Sequence, residues 1–243
     1  MNGAGRGVAL VTGAGQRVGR AIAIHLGALG WRVAVHHHGS ADGARETVER
    51  IQRQGGHAAT FRADLRDPAA CDALVREVVA ALGALDALVN SAAGMTRTPF
   101  GSTTAAGFDE IIALNLRAPF LLTQAAAAVL PDGGAVVNIA DHMGEEPWPD
   151  YAVHGISKAG VAAMTRHLAA ALAPRVRVNA VAPGFVLAPP GTPAAVVERF
   201  VADTPLGRIG TPEEVADAVA YLLEARYVTG ETLHVDGGRR VRP

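Results

Sequence analysis

Seven short apolar runs punctuate the chain, separated by longer stretches in which apolar positions recur every three or four residues. The runs are Val8–Thr12, Arg32–His37, Ala58–Arg62, Leu85–Asn90, Ala135–Ala140, Val176–Ala182 and Thr232–Val235. They are brief, β-branched and apolar almost throughout, as strands covered on both faces must be. Between the first two, Val18, Ile22, His25/Leu26 and Leu29 share one helical face. Asp67-Pro68 reads as an N-cap followed by proline at the first helical position, where a missing N–H costs nothing. Thr211-Pro212-Glu213-Glu214 opens a helix through Leu223 with a capping box. This alternation predicts the α/β class: a single doubly wound Rossmann domain over residues 1–243, with a seven-stranded, mainly parallel sheet and helices on both faces. The stretch Pro183–Pro193, with four prolines and two glycines, is the longest irregular segment and a candidate substrate lid.

Composition narrows the function. Lys and Arg number 22 against 23 Asp and Glu, a balance that argues against nucleic-acid or membrane-surface partners. The single cysteine, Cys71, rules out an internal disulfide framework and fits a reducing, cytoplasmic compartment. Met1–Gly7 lacks the organisation of a signal peptide, and no apolar run reaches bilayer length. The expected partner is a small-molecule substrate.

The first run leads into Thr12-Gly13-Ala14-Gly15-Gln16-Arg17-Val18-Gly19 and then a helix. Glycines here permit a tight turn and close backbone approach to a pyrophosphate, which the helix N-terminus attracts with its N–H groups and dipole. An enzyme that prefers the unphosphorylated dinucleotide usually ends its second strand with an acid. This strand ends His36-His37-His38-Gly39-Ser40, and Asp42 is expected in the first turn of the next helix. Arg17, a histidine (His37 or His38) and Ser40 suit a 2′-phosphate instead, so NADPH is the expected cofactor. No metal is expected, because strand neighbours point to opposite faces and at most His36 and His38 could share a ligand.

The Gly-rich turn, Asn90 after the fourth strand, Asn115, Lys158, Pro183-Gly184 and Val228-Thr229-Gly230…Val235-Asp236-Gly237-Gly238 occur in an order that resembles the short-chain dehydrogenase/reductase family. The resemblance runs from Val8 to Gly238 and looks closest to the pteridine-reductase-like branch. Arg17 stands where most members carry the middle glycine, His36-His37-His38-Gly39-Ser40 follows the second strand, and Asn138-Ile139-Ala140-Asp141 places Asp141 at the usual catalytic serine. The resemblance implies that Asp64 and Leu65 hold the adenine end and that Asn90 and Ala92 line the nucleotide path. It implies that Asn115 bends its helix and positions a relay water, that Lys158 binds the nicotinamide ribose, and that Pro183 and Gly184 flank the nicotinamide. A homotetramer built on the helices around 105–130 and 150–172 and the final strand is implied as well.

One position departs from the family. The catalytic tyrosine precedes the lysine by four residues, and here that residue is His154; Tyr151 lies two turns before Lys158. Ketone reduction needs a proton at oxygen, and neutral imidazole is a very weak acid; imidazolium would be opposed by Lys158 and favoured by Asp141 only if the two touch. A protonated imine arrives already cationic. The expectation is therefore hydride transfer from NADPH to a C=N bond of a cyclic imine, hemiaminal-derived iminium or pterin-like ring, with Asp141 serving the nitrogen. A carbonyl (3-oxoacyl or ketone) reductase using His154 or Tyr151, and a catalytically silent nucleotide sensor, are the alternatives. His142 is expected to alternate away from Asp141 if the strand continues. Met95, Trp148 and Phe185 are candidate substrate walls, and the tail Arg239–Pro243 is expected to be a solvated basic end.

Overall fold

A computed structural model describes residues 6–188 and 191–241. All seven apolar runs become strands: β1 (Val8–Val11), β2 (Arg32–His37), β3 (His57–Arg62), β4 (Ala87–Asn90), β5 (Gly134–Ile139), β6 (Val176–Pro183) and β7 (Thr232–Val235). Between them lie α1 (Arg17–Ala28), α2 (Ala41–Arg53), α3 (Pro68–Leu82), α4 (Ala105–Ile112), α5 (Ala118–Ala127), α6 (Ala152–Leu172), α7 (Ala194–Ala202) and α8 (Pro212–Glu224). The sheet runs β3-β2-β1-β4-β5-β6-β7, with every neighbouring pair parallel.

Strand alternation sorts the apolar side chains onto two faces. Ala9 and Val11 of β1 pack with Ile22 and Leu26 of α1, Ile51 of α2 and Val219 of α8. Val8 and Leu10 pack on the other side with Leu74 and Val78 of α3 and Leu122 of α5. Leu10, Leu26, Leu74 and Leu122 are almost fully buried, each contributing about 1.5–3 kcal/mol of transfer free energy. A one-residue slip of β1 would exchange its two sets of partners, so the register follows from the packing.

The expected caps are present. The Asp67 side chain accepts from the Ala69 N–H with Pro68 next in line, and Thr211 and Glu214 form the reciprocal capping box. Asp42 lies in the first turn of α2, where it pairs with Arg45. Among the described residues no helix is long and apolar enough to cross a membrane.

Candidate active site

The chain direction around the sheet reverses at β1, which lies between β2 and β4. The carboxyl ends of β1, β4, β5 and β6 open there on a cleft of about 830 Å³, the place where open α/β sheets bind ligands. The Thr12 hydroxyl accepts from the Ser91 and Ala92 N–H groups at 2.9 and 3.0 Å, pinning the glycine turn to the loop after β4. Gly13 has φ +66°, and a Cβ there would stand 2.9 Å from Ala92 Cα, so this turn tolerates no side chain. A Cβ on Gly19 would lie 2.4 Å from the Gly13 carbonyl oxygen. Arg17, at φ +52°, takes the left-handed conformation without a glycine's freedom, and its guanidinium donates across the cleft to the Leu187 carbonyl at 2.9 Å.

His36 ties the strand ends together. The Gly13 N–H donates to its Nδ1 at 3.2 Å, which leaves Nε2 to donate to the Ala63 carbonyl at 3.1 Å. Burial lowers its pKa to about 4, so the ring is neutral and structural. His37, His38 and Ser40 reach the cleft, and His37 Nδ1 is buried without a hydrogen-bond partner among the described residues. Leu65 and Asp64 line it too, but both carboxylate oxygens of Asp64 accept from Arg66, whose hydrogen bonds lower the Asp64 pKa to about 2. Gly15 lies behind the cleft surface, where a Cβ would strike the Ser40 hydroxyl at 2.5 Å. The Asn90 side chain, at the end of β4, is turned into the protein. Its amide donates to Asn138 and Thr123 inside the protein, so it braces β4 against β5 beneath the site.

The opposite half of the cleft is built around α6. A π-helical turn, Ala113–Arg117, presents Asn115, whose side chain accepts from the Gly94 N–H and donates to the Gly94 carbonyl and the Ser157 hydroxyl. Asn115 thereby fixes the loop against which His154 rests. His154 Nδ1 is 3.1 Å from the Gly94 carbonyl, and Nε2 is 3.4 Å from Asp141 Oδ2. Lys158, one turn on and buried, donates to the Ile139 carbonyl at 2.7 Å. Burial pulls its pKa down to about 8 against the opposing attraction of Asp141.

Asp141 caps a 3-10 turn, His142–Gly144, accepting from the Met143 N–H at 2.9 Å. Burial alone would push its pKa up; hydrogen bonds from His142, His154 and Met143 overcome this and hold it well below the ordinary carboxylate range. His142 does not alternate away from Asp141. β5 ends at Ile139, and the turn that follows brings His142 Nδ1 to 3.0 Å from Asp141 Oδ1.

Aromatic rings form the far wall. Phe185 and Phe200 stack at 4.1 Å, Trp148 packs on Phe200 at 5.3 Å, and Tyr151 stands edge-on to Trp148 at 6.3 Å. Met95 lies at the opposite lip, half exposed. Arg239 is buried over the Phe200 ring and paired with Glu146, so it is not part of a solvated tail; Arg242 and Pro243 lie outside the described residues, as do Pro189 and Pro190 of the expected lid.

Comparison with known proteins gives this geometry a family. A family model described as enoyl-(acyl carrier protein) reductase matches residues 13–240. The 3-oxoacyl-[acyl-carrier-protein] reductase FabG of Staphylococcus aureus is 36% identical over 238 residues, covering 95% of this chain and 96% of the relative. The chain belongs to the short-chain dehydrogenase/reductase family. Among solved members, a dehydrogenase/reductase from Sinorhizobium meliloti superposes with a TM-score of 0.92 at 38% identity, covering 97% of this chain and 95% of that one. The angucycline C-6 ketoreductase LanV, solved with bound NADP, gives 0.91 at 35% identity, with coverage of 98% and 99%.

In this short-chain dehydrogenase/reductase, the residues expected from sequence at the turn, at the second strand and on α6 converge on one cleft, with Gly15, Asn90 and Asn115 set behind it. Pro183, Gly184 and Phe185 form its edge after β6. Sequence reasoning missed His36, Arg66, Ser157 and the contact of His142 with Asp141. Arg66 had a weak signal, since it follows Asp64 by two residues in a turn. The others depend on partners 19 or more positions distant or on where β5 stops.

Proposed function

We propose that this oxidoreductase uses NADPH to reduce the carbonyl group of a small ketone or 3-oxoacyl-type substrate, with His154 as proton donor and Asp141 as its counter-ion. The carrying observation is the Asp141–His154 contact. His154 Nδ1 faces a carbonyl oxygen and Nε2 a carboxylate oxygen. A carbonyl and a carboxylate oxygen only accept, so each favours a hydrogen on the nitrogen that faces it, although the Asn115 amide, 3.4 Å from Nδ1, can also donate there. The touching condition that disfavoured ketone reduction from sequence is thus met. At 3.4 Å the Nε2–H bond is long enough to be shared with an acceptor placed in the cleft.

The cradle fits a dinucleotide: Gly13 leaves backbone bare where a Cβ would clash, α1 opens onto the turn, and His37 offers an unpartnered buried Nδ1 beside His38 and Ser40. Gln16, Arg17, Val18, Ala92 and Lys158 line the same surface. A chain with no acid at the end of β2 suits a 2′-phosphate, and LanV was solved with NADP. When bound, NADPH supplies the hydride for the carbonyl carbon. His154 gives its Nε2 proton to the developing oxyanion and is left facing Asp141 with a bare lone pair, an arrangement that recaptures a proton from solvent. Lys158, charged below about pH 8, adds positive potential near that oxygen.

A second reading rests on the Asp141 side chain, which remains 24% exposed to the cleft. A carboxylate so placed can hold a cationic nitrogen, which favours C=N reduction of a cyclic imine or pterin-like ring in a pteridine-reductase-like enzyme. NADPH turnover with matched cyclic ketones and cyclic imines separates the two. Faster ketone consumption supports the carbonyl assignment, and turnover restricted to imines refutes it. The reading extends to a homotetramer, for which Phe108 of α4, Phe120 of α5 and Ile156 of α6 offer exposed apolar surface on the helices the family pairs.

A further inference from the structure

His142 has no role in the chemistry above, yet its position is tightly specified. The ring is 7% exposed, Nδ1 lies 3.0 Å from Asp141 Oδ1 and 3.2 Å from the Pro183 carbonyl, and Nε2 is buried with no hydrogen-bond partner among the described residues. Both neighbours of Nδ1 are acceptors, so Nδ1 carries the hydrogen. A bare Nε2 lone pair in an apolar setting is cheaper than an unpaired N–H, which favours the Nδ1–H tautomer. Trp148 packs against it at 5.8 Å, nearly perpendicular, and keeps it from turning.

Asp141 therefore receives two histidines, one on each oxygen. Oδ1 accepts the Met143 N–H and lies 3.0 Å from His142 Nδ1, whose hydrogen it shares with the Pro183 carbonyl, and Oδ2 faces His154. A proton between Oδ2 and Nε2 can reside on either atom. Donors at Oδ1 stabilise the carboxylate form and so favour the proton on the imidazole. After burial, the His142 hydrogen bond is the largest influence on Asp141, acting to lower its pKa. Of the other charged groups near this array, Lys158 donates one hydrogen to the Ile139 carbonyl and acts on Asp141 through its charge, Glu145 is paired with His234, and Glu146 with Arg239.

We propose that His142 is a positioning residue that keeps the shared proton on His154 rather than on Asp141. This rests on the reading of His154 as the acid. The family role of a serine at the Asp141 position does not call for a partner here; the need arises because a carboxylate, unlike a hydroxyl, competes with its neighbour for the proton.

The test is ¹⁵N NMR of ring-labelled protein at pH 7, with no substrate, alongside ketone turnover. In the wild type both His154 nitrogens are expected to report as protonated. In His142→Leu the Nε2 signal should move toward the unprotonated range, with turnover down roughly 10-fold and NADPH affinity, read by fluorescence quenching, within threefold of wild type. His142→Asn, which keeps an N–H near the Nδ1 position, should restore the His154 signal and most of the turnover. A wild-type His154 already singly protonated would refute the donor reading itself. A doubly protonated wild type with an unchanged His154 spectrum in His142→Leu would refute the role of His142 alone. Should His142→Leu fail to fold, His142→Asn against His142→Gln, whose longer side chain cannot keep the N–H in place, carries the same comparison.

Discussion

The two halves of the cleft are built by different means. The dinucleotide half is backbone: a glycine turn pinned by Thr12, a left-handed Arg17 and a neutral His36 bracing three strands. The half around α6 is side chain: Asp141, His142, His154 and Lys158 hold one another through protons and charge. The first half keeps its form over the range in which the second titrates, since His36 is already neutral above about pH 4, whereas the second changes with each proton. Substitutions in the two halves should therefore fail in different ways.

The largest contrast is expected at Lys158. Its folded-state pKa, about 8, lies below the unfolded value, so the unfolded chain holds more proton between the two. Stability should rise with pH across that window, and below pH 8 the buried ammonium is a constant cost. Lys158→Met should raise the unfolding free energy at pH 7 by about 2 kcal/mol, after allowing for the orphaned Ile139 carbonyl, and less at pH 9.5. Turnover should fall roughly 100-fold or more. Urea unfolding at the two pH values reads the first effect, and a loss of stability at pH 7 would contradict it.

Gly13→Ala should behave oppositely. A methyl 2.9 Å from Ala92 Cα at positive φ should cost about 2 kcal/mol of stability and weaken NADPH binding, while the pH profile of residual turnover stays as in the wild type. A shifted profile would mean that the halves are coupled. The smallest effect is Arg17→Ala, expected to weaken NADPH about 10-fold through a lost charge-assisted contact and to leave NADH nearly unchanged. Equal losses would show that Arg17 acts through its bond to the Leu187 carbonyl instead.

The central strands were legible because strands buried on both faces must be continuously apolar, and the helix starts because Asp67 and Thr211 are local signals. The glycine turn was legible for the same reason. The family resemblance implies a bend at Asn115, and that residue lies in the π-helical turn Ala113–Arg117. His142 was misread because period-two alternation assumes that a strand continues, and the Asp141 cap ends this one. Arg239 reads as a solvated tail until Glu146, 93 residues earlier in the chain, is seen to bury it. Asn90 matched its motif, yet its amide bonds run under the sheet to residues that no spacing rule connects.

The central claim is that His154, paired with Asp141, protonates the carbonyl oxygen. Single-turnover reduction of a ketone by His154→Phe, with NADPH saturating and its binding measured separately, tests it most directly. The account predicts a rate lower by roughly 100-fold or more with NADPH affinity intact. A rate within threefold of wild type would show that the proton comes from elsewhere, and the Asp141–His154 pair would then have no part in the chemistry.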